Sequence, residues 1–226
     1  MQQIALPESL VPHVEAWRLD LDLNAPVSHA DWAILKKDEG ERALRLARHE
    51  DRVRFVSTRA ALRRLLAARL GRRPQDLRFQ TSTRGKPRLA QACGADTALQ
   101  FNVSHSGSHA LVAISNSRPV GVDIEHCDPG LNVAEIEPQV LAPFEQRLDP
   151  RRQPEFFERW VVKEAVLKAI GTGVAEHLRQ LSVARPAVET CRRYGLHHAD
   201  PAWRLPGAWS IDAPAGYAAA IAYAID

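Results

Sequence analysis

"NSRPVGVDIEH" (116–126) holds a turn followed by a strand. Asn116 to Pro119 is a cluster of turn formers. From Val120 the residues alternate, with Val120, Val122 and Ile124 on one face and Gly121, Asp123 and Glu125 on the other. A turn and a fresh strand near the middle of 226 residues divide the chain into an N-terminal part, 1–116, and a C-terminal part, 117–226. Each part carries one long helical pattern. In the first, "DRVRFVSTRAALRRLLAARL" (51–70) sets Val53, Val56, Ala60, Leu62, Leu65 and Leu66 on one stripe and stops at Gly71. In the second, "PEFFERWVVKEAVLKAIG" (154–171) begins at Pro154, ends at Gly171 and carries a stripe of Phe156, Trp160, Leu167 and Ile170.

Shorter elements surround these helices. "VEAWRLDLDL" (14–23) reads as a strand and "DEGERALRLARH" (38–49) as a short helix. "RRPQDLRFQTSTRGKPRL" (72–89) reads as a short strand entering a polar loop, and "LQFNVSHS" with "HALVAIS" (99–106, 109–115) as a hairpin. Short helices are expected around 132–149, then strand-like runs between Pro and Gly turns. The two halves echo each other loosely, without a repeat of solenoid period.

The composition is that of a globular protein, 45% hydrophobic, with no apolar run of about 18 residues that would span a membrane. The first residues lack a basic stretch followed by an apolar one, so a cytoplasmic location and no membrane partner are expected. Cys93, Cys127 and Cys191 are too scattered for a disulfide framework or a metal pair. The net charge of +3 conceals an asymmetry, because residues 42–73 hold eleven arginines against Glu50 and Asp51. That patch suits phosphates, an acidic protein or nucleic acid. A nucleic-acid-binding module is the alternative function, although Phe55 is the only aromatic in 42–73 and offers no stacking platform.

The chemistry begins with Asp123 and Glu125. Two residues apart on a strand, they project from one face about 7 Å apart. Their repulsion invites a hard cation with oxygen ligands, Mg²⁺ rather than zinc. On the second helix Glu164 and Lys168 are four apart and share a face, with Lys163 adjacent. A third carboxylate would complete a cation site, and the lysines would meet a phosphate bound there. "TRGKPRL" (83–89) fails as a phosphate-binding P-loop, since Gln80 and Pro87 stand where Gly and Ser or Thr are needed. "FNVSHSGSHALVAIS" (101–115) lacks the nucleophile elbow of a serine hydrolase, and His105 and His109 lack the glutamate and helix of a zinc clamp. Ser104 and His105 remain suited to gripping phosphate oxygens.

In order, "GKP" (85–87), "FNVSHS" (101–106), "VGVDIE" (120–125) and "RWVVKEAVLKAIGTG" (159–173) resemble the motif series of the Sfp-type 4′-phosphopantetheinyl transferases. The resemblance implies an α+β fold, a pseudo-dimer of two similar subdomains with the active site between them, complete in a monomer. It implies transfer of the phosphopantetheine arm of coenzyme A to a serine of an acyl or peptidyl carrier protein, releasing adenosine 3′,5′-bisphosphate. Asp123, Glu125 and Glu164 would hold Mg²⁺, and Glu164, Lys168 and His105 would serve catalysis. Arg54, Lys86, Pro87, Ser104, His105, Lys163 and Lys168 would contact coenzyme A, Arg54 at the 3′-phosphate. Further basic contacts would come from among Arg42, Arg45 and Arg48.

Overall fold

The computed structural model describes residues 1–81, 85–90, 98–173, 176–188 and 191–224. Its two halves repeat one topology. The first runs β1 (Gln2–Ile4), β2 (Val14–Asp20), α1 (His29–Trp32), α2 (Lys37–Leu44), α3 (His49–Leu70), a small hairpin β3 (Phe79–Thr81) and β4 (Pro87–Leu89), then β5 (Gln100–Ser106) and β6 (His109–Ser115). The second runs β7 (Val120–His126), α4 (Val133–Val140), α5 (Phe156–Ile170), a small hairpin β8 (Leu181–Ala184) and β9 (Gly195–His198), then β10 (Gly207–Ser210) and β11 (Tyr217–Tyr223). In each half the last strand pairs antiparallel with the strand that precedes the helices: the orders are β2-β6-β5 and β7-β11-β10, with β1 added at the edge of β2. The expected α+β pseudo-dimer is therefore the observed fold.

Period-2 alternation decides the layers. On β6, Ala110, Val112 and Ile114 face α3, joining Leu62, Leu66 and Phe101 in one core, while Leu111 and Ala113 face the other way. On β7 and β11, Val120, Val122, Ile124, Ala219 and Ile221 meet Leu111, Ala113 and Val14 in a core between the two sheets. Ala220 and Ala222 face α5, whose Val161, Val162, Ala165, Val166 and Leu167 fill the third core. The stack is helix, sheet, sheet, helix, and most of α5 is buried, with Glu164 and Lys168 partly exposed.

The two halves meet along a seam where β5 and β7 run side by side in the same direction. Side chains from alternate positions of β5 stitch it: Asn102 Oδ1 accepts the Val122 N–H (2.9 Å), Ser104 Oγ donates to Asp123 Oδ1 (2.6 Å), and Ser106 Oγ accepts the His126 N–H (3.1 Å).

Local differences from the sequence reading have local causes. The helix expected over 38–49 ends at Leu44 and α3 restarts at His49, with Arg52 donating to the Leu46 carbonyl across the corner (3.0 Å). The polar loop expected after Phe79 closes as the β3–β4 hairpin, with the Phe79 ring edge-on to Phe101 at 5.6 Å. Cys127 and Cys191 carry free thiols, and Cys93 lies outside the described residues. None of the described helices is long and apolar enough to cross a membrane.

Candidate active site

β7 sends Asp123 and Glu125 toward α5, and a glycine lets α5 come close. A Cβ at Gly121 would lie 2.0 Å from the Ala165 carbonyl oxygen and 2.5 Å from the Ala169 nitrogen, so only glycine permits this helix–strand contact. One turn of helix apart, Glu164 and Lys168 are thereby brought beside Asp123. Lys168 Nζ donates to Asp123 Oδ1 at 2.6 Å, lies 3.3 Å from Ser104 Oγ and 3.4 Å from Glu164 Oε2. Asp123 is 1% exposed, and its Oδ2 is buried with no hydrogen-bond partner. A buried carboxylate oxygen without a donor costs stability and leaves an acceptor that a ligand or cation can satisfy.

Asp123, Lys168 and Ser104 floor an open cleft with room for about 360 Å³ of solvent. Asp123, Glu125, Lys168, Ser104 and His105 line one side, and Arg42, Phe55, Thr58 and Arg59 of α2 and α3 face them, with Gly85 and Pro87 between. Arg42 lies over the Phe55 ring at 5.1 Å, and Arg59 over Phe79 at 4.8 Å. Arg59 is steadied by Glu39, 3.6 Å away. The Thr58 hydroxyl is buried without a partner. The cleft thus pairs carboxylates with cations and a small apolar wall, a setting for a phosphorylated ligand with a ring at one end.

Burial raises the pKa of Glu125 and of Glu164 above the ordinary carboxylate value, and the charge of Asp123 adds to the rise in both; Lys168 opposes it. For Lys168, burial works against the charge, but Asp123 and Glu164 outweigh it and raise the pKa, so the ammonium stays charged. His105 stands exposed to the cleft, yet desolvation by the protein around it lowers its pKa, with Arg54 and Lys168 acting in the same direction. Among the described residues, no group of three or more His, Cys, Asp or Glu side chains is gathered closely enough to hold a metal ion. The ammonium of Lys168 lies between Asp123 and Glu164 instead.

Several expected residues are placed differently. Lys163 does not reach the cleft, and its assignment to coenzyme A is corrected. At 3.6 residues per turn it points about 100° away from Glu164, is fully buried, and donates to Glu145 Oε2 (2.8 Å) and to the carbonyls of Val140 (2.6 Å) and Leu178 (2.9 Å). Lys86 is part of a brace: Nζ donates to the carbonyls of Lys168 (2.6 Å) and Val120 (3.2 Å), while Gly85 and Pro87 line the cleft. Arg54 holds the turn after β5, with Nε donating to the Gly107 carbonyl (2.7 Å) and Nη1 to Asp51 (2.8 Å). Of Arg42, Arg45 and Arg48, the structure brings Arg42 to the cleft wall.

The arginine patch is smaller than its sequence suggests, because Arg63, Arg64, Arg69 and Arg73 pair with Glu39, Asp31, Glu15 and Asp76. Arg59, Phe55 and Thr58 were missed as site residues. Their spacing with Leu62 at 55, 58, 59 and 62 is that of one helix face, a signal submerged in the arginine run.

Comparison with known proteins matches both halves of this cleft. A family described as the 4′-phosphopantetheinyl transferase superfamily matches residues 119–222, and the N-terminal part of a 4′-phosphopantetheinyl transferase matches residues 26–117. The chain is 35% identical to the 4′-phosphopantetheinyl transferase HetI of Nostoc sp., over 87% of this chain and 82% of that protein. It is 29% identical to the 4′-phosphopantetheinyl transferase of Bacillus subtilis, over 73% of each chain. To the human L-aminoadipate-semialdehyde dehydrogenase-phosphopantetheinyl transferase it is 28% identical, over 76% of this chain and 61% of that protein. With the repeated fold, the carboxylate-and-lysine floor between its halves and these matches, the chain belongs to the 4′-phosphopantetheinyl transferase superfamily and is a transferase.

Proposed function

We propose that the protein transfers the 4′-phosphopantetheine group of coenzyme A to a serine hydroxyl of an apo acyl or peptidyl carrier protein, in a Mg²⁺-dependent reaction. The observation that carries this reading is Asp123: buried, one oxygen held by Ser104 and Lys168, the other without a partner at the floor of a cation-walled cleft. Residues 1–116 form the half that holds the nucleotide, and 117–226 the half that supplies the carboxylates. The cleft is complete in one chain, which favours a monomer, and a cytoplasmic setting fits a coenzyme A substrate.

The donors suit a hard cation: every candidate ligand atom on Asp123, Glu125 and Glu164 is a carboxylate oxygen, and Asp123 Oδ2 lacks a donor. Mg²⁺ held there would neutralise charge on the pyrophosphate of coenzyme A. Lys168 and His105 hold pyrophosphate oxygens, with Ser104 keeping Asp123 and Lys168 in place. Arg42 and Arg59 supply further positive charge opposite, and Arg54 meets the 3′-phosphate. Phe55, Leu62 and Pro87 give the nucleoside an apolar wall. As the carrier serine oxygen bonds to the β-phosphorus, Glu164 takes its proton, directly or through water. The bond from that phosphorus to the bridging oxygen breaks, and adenosine 3′,5′-bisphosphate leaves with the electron pair.

The test is to incubate the purified protein with coenzyme A, Mg²⁺ and a panel of apo carriers, and to read intact mass. A gain of one phosphopantetheinyl group on the carrier, lost when the metal is chelated, is expected. No gain on any carrier would sink the activity, and a gain that survives chelation would sink the metal dependence.

The raised carboxylates set a pH dependence. Their folded pKa values lie above the unfolded value of about 4.5, so their contribution to stability is fully present below that value. It is lost as pH rises through the folded values. Mg²⁺ requires the ionised forms, so the rise in melting temperature on adding Mg²⁺ is expected to grow as pH rises through the folded pKa values. A gain independent of pH would exclude these carboxylates as its ligands.

A further inference from the structure

The β5–β6 turn, Ser106 to His109, carries the backbone that holds Arg54 and presents His105, and it is locked by a residue from the opposite half. Tyr217, at the start of β11, reaches across the seam: its Oη accepts the Ser108 N–H (3.1 Å) and lies 3.4 Å from Ser108 Oγ. The turn is shaped around this hydroxyl. Gly107 has φ +50°, and a Cβ there would lie 2.1 Å from Tyr217 Oη. The ring is held edge-on between His109 (4.7 Å) and His126 (5.0 Å), and His109 is itself fixed by Asp20 at 2.9 Å. From the same turn, the Gly107 carbonyl accepts Arg54 Nε, and the Ser106 hydroxyl accepts the His126 N–H across the seam.

We propose that Tyr217 is a positioning residue for the transfer reaction, latching the Ser106–His109 turn across the seam so that Arg54 and His105 are aimed at the phosphates of coenzyme A. The latch rests on the function proposed above. It contributes through one hydrogen bond to a turn whose other contacts remain when the hydroxyl is removed, so its effect falls on ligand alignment rather than on folding.

The experiment compares wild type with Tyr217→Phe, which keeps the ring between the two histidines, and with Gly107→Ala, whose methyl would displace the hydroxyl. Coenzyme A affinity is read by calorimetry and transfer kinetics with coenzyme A and with its analogue lacking the 3′-phosphate. Tyr217→Phe is expected to keep the wild-type melting temperature, to weaken coenzyme A binding and raise its KM about tenfold, and to shrink the preference for coenzyme A over the analogue. Gly107→Ala should reproduce the loss of preference. Unchanged affinity and preference in Tyr217→Phe, or an equal loss with both ligands alongside a lowered melting temperature, would overturn the latch. If wild type transfers and Asp123→Asn is severely slowed, an unaffected Tyr217→Phe overturns the latch alone; if wild type neither binds coenzyme A nor transfers, the functional reading and the latch fall together.

Discussion

Asp123→Asn is expected to slow transfer severely and to leave the fold at least as stable as wild type. Asparagine keeps the shape and can still accept the Ser104 hydroxyl, but it removes a charge that is 1% exposed and has one oxygen without a partner. Relieving that burial offsets the loss of the contact with Lys168, which retains Glu164 at 3.4 Å. The rate should fall by on the order of 10³, about 4 kcal/mol of transition-state stabilisation, a typical loss when a preorganised electrostatic group is removed from a phosphoryl-transfer site. Intact-mass kinetics and urea unfolding on the same preparation check the two halves of the expectation. Lost stability with retained transfer would make Asp123 a structural ion-pair partner instead.

Lys163→Ala is expected to do the opposite, costing stability by about 3–5 kcal/mol, because it leaves buried Glu145 with only Arg159, 3.9 Å away, as a cation in place of a hydrogen-bonded one. Both side chains are fully enclosed. Glu145 would retain the N–H groups of Ala142 (2.6 Å) and Val183 (2.8 Å), which orient the carboxylate but do not neutralise it. The pair ties α5 to the segment before it and to β8, so its loss loosens the second half while the cleft floor keeps its residues. Replacing both partners, Lys163→Met with Glu145→Gln, should cost much less than the sum of the single changes. Urea unfolding of the singles and the double measures this coupling. A Lys163→Met protein of unchanged stability that no longer binds coenzyme A would restore the lysine to the ligand site.

The neighbours Lys163 and Glu164 show where reading a sequence stops. Both lie in one motif, and their order in the chain says nothing about which faces the ligand. A helix with one apolar stripe would have revealed its inward face, but α5 is covered by apolar residues on nearly every side of its middle. These two neighbouring charges are therefore distinguished only by what packs against each: β7 beside Glu164, Glu145 beside Lys163. The arginines of 42–73 present the same difficulty. Which of them is spent on Glu39, Asp31 or Glu15 depends on partners 24 to 54 residues distant, and spacing within α3 does not encode them.

The sequence by itself determined the strand that places Asp123 and Glu125 on one face, the long helix of each half, the turn between halves and the motif series that points to the superfamily. These follow from local rules, the period of 2 in a strand and of 3.6 in a helix, and from residue types at short spacing. Only the tertiary structure decided the seam, where β5 lends Asn102, Ser104 and Ser106 to β7, the approach of α5 over Gly121, and the choice of Arg42 and Arg59 as cleft walls. Those outcomes depend on contacts between segments far apart in the chain, whose geometry is fixed only once the cores have closed.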